Sequence, residues 1–340
     1  MGSVSKMGPS RRVISVLLLS MAGSFLSSAP ARAQAVAVVP VSATAPSSGK
    51  QSLDDAWWTG PLLANSAGTL PPGHVLVEPY LYDVASAHSH GYGSRTYLLY
   101  GLANRLTVGV IPVFGYNTVS GGPHSSHVGV GDFTLLAQYQ LTQFHEGSWV
   151  PTASFEVQET FPTGKYDQLG ERPADGLGSG AHMTTLQFNT QTYFWLANGR
   201  ILRMRFDVSQ AFSSHADVAD VSVYGTGQGF RGMARPGSSF FADLAWEYSL
   251  TRRWVLALDL TYSHSRTTSV TGYVRQPKSG SLPGPPIRLD SGSSTAFGIA
   301  PALEYSWNAN VGAIFGVRVI TGGHNTVRTI TPVMAINLVY

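Results

Sequence analysis

No cysteine occurs among the 340 residues, and charged side chains make up only 12% of them. The first absence rules out a disulfide framework, a thiolate metal cage and a cysteine nucleophile. The second is about half the charge usual in soluble globular domains, which build their water-facing surface from such residues. Nowhere does an apolar run approach the roughly 20 residues that a membrane-spanning helix needs. Basic runs are missing as well, which argues against a nucleic-acid surface. What remains abundant is glycine, with 37 residues, and aromatics at 11%.

The N-terminal 33 residues read as a secretory signal peptide. Lys6, Arg11 and Arg12 make a basic start, Val13 to Leu19 a short apolar core, and Ala31-Arg32-Ala33 a small-residue cleavage site. Removing them takes away four basic residues and no acidic ones, leaving 18 Lys and Arg against 19 Asp and Glu. Residues 34–73 are expected to be a flexible periplasmic leader or a short plug. Their first part is Ala/Val/Pro/Ser-rich, and the remainder, with adjacent Trp57 and Trp58, has enough apolar content to dock at a barrel mouth or enter a lumen.

From residue 74 onward the chain alternates between apolar and polar in blocks of about ten residues. A period of two puts one set of side chains on each face of a strand, and ten residues suit a tilted membrane strand. In one block Leu202, Met204, Phe206 and Val208 oppose Arg203, Arg205, Asp207 and Ser209; in another Phe240, Ala242, Leu244 and Trp246 oppose Phe241, Asp243, Ala245 and Glu247. Twelve blocks are expected, near 74–84, 94–102, 105–115, 129–141, 149–160, 183–196, 201–212, 239–250, 253–264, 295–307, 311–320 and 327–340. Short links alternate with long ones at 85–93, 116–128, 161–182, 213–238, 265–294 and 321–326, as periplasmic turns alternate with extracellular loops. Tyr100, Tyr139, Trp149, Phe194, Tyr248, Trp254, Tyr305, Trp307 and Tyr340 sit beside the short links, where an aromatic girdle belongs.

The fold class expected is therefore all-β, a single antiparallel transmembrane β-barrel of about twelve strands over residues 74–340, with outer-membrane lipid as its outer solvent. The inward parity nominates Asp132, Glu156, Arg203, Arg205, Asp207, Asp243, Glu247, Asp259, Glu304 and Arg318 as lumen or constriction residues. Opposite charges hidden together must pair, because an isolated buried ion is very costly. Two readings stay open: a polar conducting lumen, or a salt-bridge network filling a narrow barrel. Most histidines fall in or beside the outer loops without firm ligand spacing, so no metal or cofactor is assigned. No serine and histidine occupy rigid positions suited to a hydrolase, and no enzyme activity is expected.

The terminal strand Thr329 to Tyr340, ending on an aromatic, resembles the closing strand of bacterial outer-membrane barrels. That likeness implies recognition by the barrel-assembly machinery through Tyr340. The segments Tyr100-Gly101-Leu102-Ala103-Asn104-Arg105-Leu106-Thr107-Val108-Gly109, Gly129-Val130-Gly131-Asp132-Phe133 and Pro162-Thr163-Gly164 resemble a family of bacterial outer-membrane proteins named for the meta-cleavage pathway of phenol degradation. The resemblance implies an outer-membrane location and passive uptake of small solutes, aromatic or hydrophobic ones included. The alternative is a non-conducting barrel whose long extracellular loops act in surface binding or structure.

Overall fold

The computed structural model describes residues 49–275 and 283–340. The expected signal peptide, residues 34–48 and residues 277–282 of the Pro/Gly-rich loop lie outside the described residues. β1 (Val75–Ala85), β2 (Ser89–Ala103), β3 (Leu106–Ile111), β4 (Val113–Val119), β5 (Gly129–Val130) and β6 (Phe133–Thr142) come first. β7 (Thr152–Phe161), β8 (Met183–Trp195), β9 (Ile201–Ser213), β10 (Ala216–Ala219) and β11 (Phe230–Arg235) follow. Then come β12 (Ser239–Ser249), β13 (Trp254–Ser265), β14 (Ser269–Arg275), β15 (Pro283–Asp290), β16 (Ser294–Asn308), β17 (Val311–Gly322) and β18 (Thr329–Val339).

Fourteen of these strands form the wall. β3 and β4 both pair with β2 and are halves of one stave broken at Pro112, which has no N–H to give the ladder. β5 and β6 are likewise one stave broken at Gly131-Asp132. The wall therefore has twelve antiparallel staves, and β1 closes it by pairing with both β2 and β18. The seam is extended by reciprocal backbone bonds between Val75 and Tyr340 of 3.0 and 2.9 Å. Closure leaves no unpaired edge to face hydrocarbon, the condition for sheet to span a bilayer.

Burial follows the period of two. In β18, Ile330, Pro332, Met334 and Ile336 are exposed on the outer wall, while Thr329, Thr331, Val333, Ala335 and Asn337 are buried inside. β8 sets Leu186, Phe188 and Phe194 outward against Gln187, Asn189 and Gln191 inward. β1 and β2 alternate poorly in sequence because both of their faces are apolar: Leu76, Tyr80, Tyr97 and Leu99 point inward, into an apolar cluster within the barrel. The expected loop 85–93 is in fact a tight turn at 86–88. β2 begins at Ser89 and stays paired through Gly91 and Gly93, whose lack of side chains hides the alternation. The Tyr82 ring lies over Gly93, where a Cβ would come within 2.3 Å of it.

Residues 213–238 and 265–294, expected as plain loops, carry a second sheet of order β10-β11-β14-β15. Val218, Phe230, Ala234 and Val270 form its small core, with Tyr224 and Ile287 against them. The loop 162–182 packs beside it, and Leu169 N–H donates to the Val221 carbonyl at 2.9 Å. Asp175 holds the neighbouring loop by accepting from the Ser126 N–H at 2.7 Å and from its hydroxyl. Burial pushes the Asp175 pKa up, but the Ser126 bonds and the charges of Lys165 and His127 outweigh it and leave it lowered.

Phe206, 41% exposed halfway along β9, is expected to lie near the bilayer midplane. Phe206→Arg should cost about 2–4 kcal/mol in urea unfolding from liposomes, and Phe206→Leu under about 1.5 kcal/mol. Because the Asp175 pKa is lowered in the folded protein, its tether is whole at neutral pH and is lost as pH falls below the ordinary aspartate range near 4. Proteolysis between residues 120 and 128 should rise in that acid window, and Asp175→Asn should give the same sensitivity at pH 7.

Candidate functional site

Successive inward positions stack charges up the lumen wall. β9 turns Arg203, Arg205 and Asp207 inward; β12 contributes Asp243 and Glu247, β13 Asp259, β16 Glu304, β17 Arg318 and β7 Glu156, all buried. Register then decides who meets whom. Glu247 lies across the ladder from Arg203 and takes Nε at 2.5 Å with a second contact from its Nη2, while Arg205 Nε approaches at 3.2 Å. One carboxylate thus serves two guanidiniums. Asp243 lies directly across from Asp207, a like-charged pair that a ladder disfavours. Arg318 sets its charge against Asp243 and Asp259.

Asp132 stands apart from this cluster. It sits at the break between β5 and β6 and accepts from Gly164 N–H at 2.9 Å and from the Ser179 N–H and hydroxyl at 2.8 Å. It ties down the loop 162–182. Parity alone placed it in the lumen, and the break of the stave at Gly131-Asp132 leaves it bonded to the outer loop. Glu78 and Arg95 belong to the buried lumen charges although they were not singled out from the sequence. They lie on β1 and β2, where a doubly apolar pattern gave no inward face to read.

The lumen has two unlike sides. Residues of β1 to β3 and β16 to β18, among them Leu76, Tyr80, Leu99, Ile111, Ile314 and Val333, gather into an apolar cluster, with Glu78, Arg95, Glu304 and Arg318 as the charged exceptions on those strands. The wall from β6 to β13 is polar and charged. Between them runs a strap from the N-terminal segment. Thr59 to Leu70 is an unbroken buried stretch, with Leu62, Leu63 and Leu70 joining the apolar side. Its backbone turns to the charged side. Glu304 accepts from Thr59 N–H (2.7 Å), Thr59 hydroxyl (2.9 Å) and Gly60 N–H (3.0 Å). Asp259 accepts from Leu62, Leu63 and Ala64 N–H at 3.0 to 3.1 Å, and Asp207 from Asn65 N–H. Arg205 donates to the Ala64 carbonyl at 3.0 Å and Gln138 to that of Ser66 at 2.6 Å.

The strap then descends to Gln140 and Thr107, the latter accepting from Leu70 N–H at 2.8 Å. Two glycines of the wall make room for it. A Cβ at Gly312 would fall 2.0 Å from Thr59 Cγ2, and one at Gly101 would fall 1.9 Å from the Pro71 carbonyl. At the periplasmic mouth Trp57 stacks against Arg252 and Trp58 against Arg203, with ring centroids 4.7 and 4.5 Å from the guanidinium carbons. A small cavity of about 100 Å³ remains there, lined by Trp57, Trp58, Phe144, Tyr193, Arg203 and Arg252 among others.

Outside the lumen, the candidate pairs of chemistry-bearing residues among the described residues end in turn and loop contacts. Ser126 hydroxyl lies 2.8 Å from His127 Nδ1, but the Asp175 carboxylate contacts that hydroxyl and so does not orient the imidazole as a base. The Ser86 and His88 pair ends in turn bonds. His90 pairs with Asp83 at 2.9 Å and His182 with Glu159 at 3.4 Å. Among the described residues no three metal-ligating side chains converge.

Residues 60–330 match the sequence family described as "Putative MetA-pathway of phenol degradation". Among solved structures, an outer-membrane channel from Pseudomonas putida F1 superposes with a TM-score of 0.58 at 16% identity, over 81% of this chain and 98% of that one. The toluene transporter TodX of Pseudomonas putida gives 0.39 at 13% identity, over 79% and 89%. No curated protein matches. A closed twelve-stave barrel of this likeness is an outer-membrane architecture, and the bacterial outer membrane is its location.

Removing one member of a buried ion pair strands its partner, at about 3–5 kcal/mol. Glu247→Gln leaves two guanidiniums short of a counter-charge and is expected to cost that much in urea unfolding from liposomes.

Proposed function

The chain belongs to the MetA-pathway family of phenol degradation, and we propose that it is an outer-membrane channel for passive uptake of small solutes, aromatic or hydrophobic ones included, closed at rest by its own strap. One observation carries the reading. Twelve consecutive buried residues fill the barrel, yet they bond to the wall through wall side chains and take no part in its ladders. The strap can leave without breaking one sheet hydrogen bond. Eight staves enclose only side chains and sixteen hold an aqueous channel; twelve leave space of intermediate width, here taken up by the strap.

Arg203, Arg205 and Glu247 are the residues we assign to the constriction beside it. Folding into the membrane would proceed through the barrel-assembly machinery, which reads the β18 strand ending at Tyr340. The interlocked outer sheet favours a second reading, a barrel that works through its loops and never conducts. A conductance experiment separates the two.

With no native cysteine, Asn65→Cys with Asp207→Cys offers a clean lock, because Asn65 N–H already bonds to Asp207. Oxidised protein in planar bilayers should stay closed, and reducing agent should restore conductance. Equal conductance in both states would remove the strap as the gate. A wild-type barrel that never opens would favour the second reading.

A further inference from the structure

The buried lumen wall carries seven carboxylates (Glu78, Glu156, Asp207, Asp243, Glu247, Asp259 and Glu304) against four guanidiniums (Arg95, Arg203, Arg205 and Arg318). Buried ions need compensation, and the strap supplies much of it by spending backbone N–H groups on Glu304, Asp259 and Asp207. Asp243 gets none of this. It is 1% exposed, faces the lumen opposite Asp207, and neither of its oxygens accepts a hydrogen bond among the described residues. One Asp207 oxygen and one Glu304 oxygen are also without a donor. Even with Arg318 set against Asp243 and Asp259, the wall holds more carboxyl groups than guanidiniums and leaves acceptor oxygens without a donor among the described residues.

Adjoining those acceptors in the lumen is the apolar cluster, with the rings of Tyr80 and Tyr97 in edge-to-face contact at 5.8 Å. The strap satisfies both sides at once, with N–H donors to one and leucines to the other. A solute that takes its place has to do the same. A protonated amine with an apolar body brings the donors and also the charge that peptide N–H groups lack. At the mouth Trp57 and Trp58 already hold the guanidiniums of Arg252 and Arg203 by cation–π contact, so this end of the path is built around cations.

We propose that the strap-free lumen is a binding path for apolar organic cations, with Asp243, Asp207, Asp259 and Glu304 as successive ammonium acceptors. The inference rests on the channel reading and narrows its solute class.

The test uses the full-length barrel in planar bilayers under a KCl gradient, with three probes of one shape: 2-phenylethylammonium, 2-phenylethanol and phenylacetate. The reversal potential should fall on the cation-selective side, and the ammonium probe alone should block or carry current. Asp243→Asn, which touches no strap contact, should weaken that effect about tenfold, as the loss of one charge-assisted contact implies. Asp259→Asn should weaken it as well while raising open probability. Anion preference, equal action of the alcohol, or an unchanged ammonium effect in Asp243→Asn would overturn the proposal and leave the channel standing. A barrel that never conducts would overturn both.

Discussion

Lipid cannot solvate a charge, and this constraint organises the molecule. With the outer wall given over to Leu, Phe, Trp and Tyr, the charged side chains of the staves turn inward, where water is scarce. Inside, they face a second requirement. Each ion must find an opposite charge or a hydrogen-bond donor within the cylinder. Arg203 and Arg205 find Glu247 through strand register. Arg318 faces Asp243 and Asp259, Asn337 donates to Glu78, and Glu304, Asp259 and Asp207 take their backbone donors from the strap.

The strap is therefore better described as a counter-group than as a stopper. Its first part, Thr59-Gly60-Pro61-Leu62-Leu63-Ala64-Asn65, is short, uncharged and able to turn its N–H groups to one side and its leucines to the other. Such a piece neutralises by dipole where the wall has spare negative charge, and it leaves the wall's own ladders untouched. A folded plug domain would need a core of its own; this segment borrows the apolar side of the barrel instead. On the channel reading, gate and filling are one object.

The outer face follows different rules because water reaches it. There the chain builds a four-stranded sheet from two long loops and fastens a third through Asp132 and Asp175. A small apolar cluster of Val218, Phe230, Ala234 and Val270 suffices, since exposed polar groups can turn to solvent. The prolines of β15, at positions 283, 285 and 286, keep that edge strand from offering a full row of N–H donors to another sheet.

The number of staves, the side each one shows to lipid, and the inward set from Glu156 to Arg318 were legible in the sequence, because a period of two survives wherever one face is apolar and the other is not. The pattern failed where that contrast vanished. β1 and β2 are apolar on both faces, and glycines extend β2 past its visible end. Asp132 had the right parity, but a break in the strand leaves it bonded to the outer loop. Nothing local revealed the partners: which carboxylate serves which guanidinium depends on register between strands distant in sequence. That the segment after Lys50 lies inside the barrel was decided only by closure of the wall. Side-chain direction is a property of neighbours along the chain, whereas charge compensation is settled between groups that only the folded cylinder brings together.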